Sequence, residues 1–79
     1  MSDSTGAVLE YLVSSIVDAP EAVRVDLESG NPDRYDVQVA DGDMGRVIGR
    51  RGRTADAIRT VVRAAAARDD RRVDVEFVD

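Results

Sequence analysis

The chain has no cysteine, no histidine, no lysine and no tryptophan. Without cysteine there is no disulfide to staple a small core and no thiolate nucleophile. Without histidine the commonest general base and the commonest metal ligand are missing. Zinc sites and Ser-His or Cys-His nucleophilic systems are therefore excluded. No apolar run approaches the roughly 20 residues of a membrane span, and the polar, acidic "MSDSTG" start is unlike a signal peptide. The expectation is a soluble, cytoplasmic protein that makes no use of a membrane. Neighbouring acids such as Asp41 with Asp43 or Asp69 with Asp70 are more simply helix caps or solvated surface than acid/base pairs. That points away from an enzyme and implies neither cofactor nor metal. Aromatics are scarce too: Tyr11, Tyr35 and Phe77, all at apolar-patterned positions.

What is present is arginine, and it is unevenly placed. Across 79 residues the formal net charge is -5, and all eleven basic residues are arginines. Residues 1–45 hold only Arg24 and Arg34 against ten acids, whereas residues 46–68 hold seven arginines against Asp56 alone. Overall acidity argues against an anionic partner, but a local stripe of one sign is an electrostatic footprint that reverses the inference.

At this length the chain makes one small domain, spanning residues 1–79, that buries about 60% of its unfolded surface. "STGAVLEYLVSSIVD" carries Ser4 or Thr5 as an N-cap and apolar residues Leu9, Leu12, Val13, Ile16 and Val17 at helical spacing, with Pro20 as a stop. Val23, Val25 and Leu27 alternate with polar residues, and Tyr35, Val37 and Val39 do so again after the turn-forming "SGNPD". These predict an antiparallel hairpin. A short helix follows, capped by Asp41 or Asp43, unable to pass Gly49, with Ile48 turned toward the core. A longer helix from about Arg53 to Arg68 presents Ala55, Ile58, Val61, Val62 and Ala65 as its apolar stripe. The "AAAA" run at 64–67 suits close packing, or is simply a good helix former. After the polar "RDDRR", Val73, Val75 and Phe77 form a third alternating strand. The order α-β-β-α-α-β is expected to give an α+β fold of two layers, three helices on one face of a three-stranded sheet. The helical crossover makes strands two and three parallel neighbours.

"RVIGRRGRT", Arg46 to Thr54, holds four arginines and two glycines. It is not a phosphate loop of the nucleotide-hydrolase kind: the glycine spacings are wrong and the lysine is absent. Nor is it a dinucleotide fingerprint, because no glycines sit two apart. Two glycines could simply end one helix and begin the next. That accounts for Gly49 and Gly52 but not for Arg50 and Arg51 between them, whose repulsion at a turn tip is relieved only by an anion. Side-chain-free backbone admits a phosphodiester closely. The next helix turns its N–H groups and positive end toward the same place, and arginines add charge-assisted bonds. Gly49, Arg50, Arg51, Gly52 and Arg53, with Arg46 and Arg59 nearby, are the candidate nucleic-acid contacts. A glycine-arginine turn between two helices backed by a sheet is how a KH module holds about four nucleotides of a single strand.

The stretch "GDMGRVIGRRGRTADAIRTVVRAAA" closely resembles the central segment of the small bacterial KH proteins of the KhpA type. Its core is Ile48-Gly49-Arg50-Arg51-Gly52, and with the order of elements the likeness covers the chain and implies the type II, or prokaryotic, KH topology. The resemblance implies a protein that binds single-stranded RNA without chemistry. It further implies an RNA chaperone-like or post-transcriptional regulator acting with a larger KhpB-type partner in cell elongation and division. A dimerisation scaffold on the same fold and a single-stranded DNA binder are the alternatives. A homodimer is compatible with RNA binding, since two linked clamps raise avidity.

Overall fold

A computed structural model describes residues 3–78. Helix α1 (Ser4–Ile16) begins at Asp3, whose carboxylate accepts the Gly6 N–H at 3.1 Å. The cap therefore lies one residue before the expected pair: Ser4 is already helical, and Thr5 is buried. Leu9 and Val13 point into the core four residues apart. Tyr11, two positions past Leu9, projects from the opposite side at 73% exposure, against the expectation that it follows the apolar pattern. Pro20 opens a 3-10 turn, Pro20–Ala22, that leads into the sheet.

Strands β1 (Arg24–Glu28) and β2 (Asp33–Gln38) pair antiparallel, with Val25 opposite Val37 and Leu27 opposite Tyr35. Strand β3 (Val73–Phe77) runs parallel to β2, with Val75 opposite Tyr35 and Phe77 opposite Val37. The spatial order β1-β2-β3 places β2 in the centre. Alternation sorts the two faces as the sequence implies. Tyr35, Val37, Val73 and Val75 are buried beneath the helices, while Arg34, Gln38, Asp74 and Glu76 face solvent. On that outer face Arg34 bonds Glu28 at 2.8 Å and Asp36 at 2.9 Å. Leu27, on the edge strand, keeps 44% of its surface exposed.

The crossover consists of α2 (Met44–Ile48) and α3 (Arg53–Ala67). Helix α3 buries Ala55, Ile58, Val62 and Ala66, a row with three- and four-residue steps. The expected stripe is thus rotated: Ala66 takes the place of Ala65, and Val61 stands at 47% exposure beside the groove between α1 and α3. Ala66 is also the one residue of the alanine run that enters the core. In α2 the fully buried side chain is Val47, and Ile48 is half-buried at the margin, one position from the phase the sequence suggested. The architecture is the α+β arrangement of three helices covering one side of a three-stranded mixed sheet. No helix among the described residues is long and apolar enough to cross a membrane.

Candidate nucleic-acid interface

The turn between α2 and α3 is built from residues of unusual backbone hand. Gly49 ends α2 with φ +74° and ψ 176°, and its N–H donates to the Gly45 carbonyl at 2.9 Å. A Cβ at this position would collide with the Thr54 hydroxyl and lie 2.7 Å from the Thr54 Cβ. Glycine is therefore needed twice, for its φ and for its lack of bulk. Gly52 adopts the left-handed conformation, φ +73°, and begins α3 directly. Its N–H closes the turn on the Gly49 carbonyl at 3.2 Å. Between them Arg51 is also left-handed, φ 56° and ψ 25°, where a side chain is strained.

This geometry leaves the start of α3 uncovered. No side chain among the described residues caps its first turn. The Gly52 and Arg53 N–H groups close back on the Gly49 and Arg50 carbonyls, so what remains at this end is the N–H groups of Thr54 and Ala55 and the positive dipole end of a 15-residue helix. Arg50, Arg51 and Arg53 surround it, all exposed, and none makes an ion pair among the described residues. Two uncommitted arginines in the turn and a third at the first position of the helix share one short exposed segment. The arrangement can receive an oxyanion without displacing an internal partner.

The other two expected contacts stand differently. Arg46 lies on α2 and bonds the exposed Asp18 at 2.9 Å, with Asp43 at 3.6 Å behind it. Arg59 is turned away from the loop toward β3: its Nε donates to the Val75 carbonyl at 3.1 Å, its Nη1 to Asp56 at 3.1 Å, and its guanidinium lies 5.5 Å from the Phe77 ring centre. Val75 offers that carbonyl because β3 is an edge strand. In a parallel pair only alternate residues bond the neighbour, and at either end of the ladder those are Arg72 and Val78, leaving Val75 directed outward. Arg59 thus serves first as a clasp between α3 and β3.

Two contributors were not evident from the sequence. Thr54 packs under Gly49 and fixes the turn, without any motif to announce it. Asp43, expected as a helix cap, makes no capping bond to α2. Its buried carboxylate instead accepts the Asp18 N–H at 3.1 Å and the Ala19 N–H at 3.0 Å, joining the end of α1 to the start of α2. Among the described residues no group of three or more His, Cys, Asp or Glu side chains is placed to hold a metal ion.

A family model described as "KhpA/KhpB, KH domain" matches residues 7–77. The RNA-binding protein KhpA of Clostridium acetobutylicum is 44% identical over 72 residues, which are 90% of this chain and 96% of the relative. The protein of the same name from Chlamydia trachomatis is 40% identical over 72 residues, covering 90% of this chain and 92% of its own. That of Halalkalibacterium halodurans is 41% identical over 73 residues, covering 91% and 96%. A crystal structure of Aquifex aeolicus Era superposes with a TM-score of 0.69 at 14% identity. The match takes in 94% of this chain and 29% of that one, and it speaks for the fold alone.

Proposed function

The chain belongs to the KhpA/KhpB KH-domain family, and from that premise we propose that it binds single-stranded RNA on the Gly49–Gly52 turn. The carrying observation is that Arg50, Arg51 and Arg53, exposed and free of ion pairs among the described residues, stand next to one another at the uncapped start of α3. One phosphate group approaches the side-chain-free backbone at Gly49 and Gly52, and the three guanidiniums hold it and its neighbours. Arg46 joins by leaving Asp18, an exposed ion pair of the kind worth at most about 1 kcal/mol. The relatives named RNA-binding protein KhpA support RNA as the ligand. Binding of this kind needs no chemistry, and the protein is not an enzyme.

Base recognition is expected to be permissive. Tyr35 is buried and Phe77 lies under Arg59, which leaves Tyr11 on α1 as the one open ring among the described residues. Stacking on a single ring does not discriminate bases. The family further suggests a regulatory, chaperone-like role beside a KhpB-type KH partner in cell elongation and division. A homodimer is compatible with this, and the exposed Ile16 and Val61 along the groove between α1 and α3 are the apolar surface that favours it.

The test is titration with a short single-stranded RNA. An Arg50→Asp/Arg51→Asp variant should keep its circular dichroism and melting temperature and lose binding. A folded variant that binds like the unsubstituted protein would remove the clamp and leave the scaffold reading. Parallel titration with single-stranded DNA of the same sequence tests the ligand class.

A further inference from the structure

Arg59, Arg63 and Ala67 sit at every fourth position of α3 and so form one row along the helix. Arg59 bonds the Val75 carbonyl, and Arg63 reaches Asp74 at 3.3 Å, so the row lies over β3. It begins about 9 Å along α3 from its first residue and ends at an open cavity of about 530 Å³, whose walls include Arg63, Arg71, Arg72 and Asp74 over Ala67 and Val73. This cavity stands at the opposite end of α3 from the turn.

We propose that this cavity is a second RNA subsite, where Arg63 and Arg72 hold phosphates of the strand already gripped at the Gly49–Gly52 turn. The proposal rests on the RNA reading above and extends it. Three guanidiniums face one carboxylate there. Arg71 is committed to Asp3 and Asp33, but Arg72 makes no ion pair among the described residues. The Arg63–Asp74 pair is about half exposed on both sides, with side-chain exposures of 55% and 53%, so Arg63 can trade Asp74 for a phosphate at little cost. Guanidinium and phosphate match in geometry as well as charge.

The outer sheet face is the less favourable path, its carboxylates outnumbering Arg24 and Arg34. On the outer sheet face Asp26 pairs in register with Asp36, and Asp36 with Glu76, a row of three carboxylates that repels a phosphate chain. The seam of α3 and β3 is the cationic route away from the turn. From Arg53 to Arg63 the helix rises about 15 Å, which is more than four stacked nucleotides at roughly 3.4 Å each. The four nucleotides or so held at a KH turn therefore stop short of the cavity, and a longer strand reaches it. The apolar floor of Ala67 and Val73 accepts any base, so the subsite adds length dependence and no sequence preference.

The experiment is a salt series with single-stranded RNAs of about four and about ten nucleotides. It uses the full chain and an Arg63→Gln/Arg72→Gln variant. On the longer RNA the variant should lose two phosphate contacts, making its slope of log affinity against log salt shallower by about 1.4. Quadrupling the salt then costs the unsubstituted protein about sevenfold more affinity than the variant. On the shorter RNA the two proteins should bind alike, and Arg63→Lys/Arg72→Lys should restore the long-RNA slope. Equal long-RNA slopes for the glutamine variant and the unsubstituted protein overturn the subsite. If the double variant melts early, Arg72→Gln alone carries the test with a change of about 0.7, because that side chain has no ion-pair partner to lose among the described residues. The Arg50→Asp/Arg51→Asp protein separates the two claims. Loss of both lengths in it alongside a silent glutamine variant sinks only the subsite, whereas unchanged binding of both lengths sinks the RNA clamp itself.

Discussion

The buried carboxylate of Asp43 accepts the backbone N–H of Ala19, 24 positions earlier in the chain, at 3.0 Å, and that of Asp18 at 3.1 Å. These two bonds tie the end of α1 to the residue from which α2 and then the Gly49–Gly52 turn depart. Asp43→Ala would leave two partly buried donors without an acceptor, at about 1–3 kcal/mol each where water cannot replace it. A net loss of about 2 kcal/mol lowers the melting temperature of a domain this size by roughly 8–16 °C. Thermal melting of Asp43→Ala against Asp41→Ala measures it. Equal melting temperatures would show that the Asp43 bonds add nothing to the fold.

Arg71 gathers a second, half-buried polar cluster. It donates to Asp3 at 3.1 Å, to Asp33 at 3.2 Å and to the Tyr35 hydroxyl at 3.1 Å, while Tyr35 donates to Asp3 at 2.6 Å. Burial pushes the Asp3 carboxyl up, but bonds from Tyr35, the Gly6 N–H and Arg71 outweigh it and hold it below the usual range. The Gly30 N–H and Arg71 hold Asp33 low as well. Depressed folded-state values mean that this stability is complete above the ordinary carboxylate value of about 3.9 and is lost as pH falls through the folded values. Tyr35 shifts the other way: burial first, then its bond to Asp3, raises its hydroxyl. Its contribution is therefore present below about pH 10 and lost as pH rises beyond the folded value. Melting curves should be flat from about pH 5 to 9 and fall outside that window. Arg71→Gln should melt lower at neutral pH and decline less steeply below about pH 4. Parallel acid limbs for the two proteins would remove Arg71 from this role.

How far these features could be read from the chain alone depends on the range of the interaction. The hairpin, the parallel return of β3 and the extent of α3 follow from periodicity, because Val37, Val75 and Ile58 bury themselves through their own repeat. The Gly49 break was equally legible, since the need for a positive φ is local. Asp43 reads as a cap in the sequence because a carboxylate before a helix usually is one. Its true partners lie 24 and 25 positions away and leave no mark on the local pattern. Arg59 was placed at the ligand surface by its charge, yet the open edge of β3 offered it the Val75 carbonyl. The phase errors at Val61 and Ile48 are of one residue, set by how α1 and the sheet meet each helix, which no single helix encodes.

Arg51 holds a left-handed backbone in the turn, at φ 56°. Such a conformation costs a residue with a side chain about 1–2 kcal/mol, and glycine about nothing. Glycine gives back roughly 0.5–1 kcal/mol through the freedom of the unfolded chain. Arg51→Gly should therefore melt at or a few degrees above the unsubstituted protein. RNA affinity should fall, with the salt slope shallower by about 0.7 for one lost phosphate contact. Opposite movements of stability and binding would mark the strain as held for the ligand. A variant that melts lower contradicts the strained backbone, and one that binds unchanged RNA takes Arg51 out of the clamp.

The salt dependence of binding counts how many phosphates the protein meets. A turn holding about four nucleotides contacts about 2–4 phosphates, each releasing about 0.7 counterion from a single strand. For a short RNA the slope of log affinity against log salt should lie between about -1.4 and -2.8. The carboxylates of Asp26, Asp36 and Glu76 add no contacts, so a monomer has no steeper value available on that length. Two turns of a homodimer on one long RNA would about double the slope. That steepening persists in the Arg63→Gln/Arg72→Gln protein and fades on dilution below the dimer's dissociation constant. Steepening that comes from the α3–β3 cavity behaves in the opposite way, vanishing in the variant and ignoring protein concentration. Affinity independent of salt on either length would mean that Arg50, Arg51 and Arg53 never meet a phosphate.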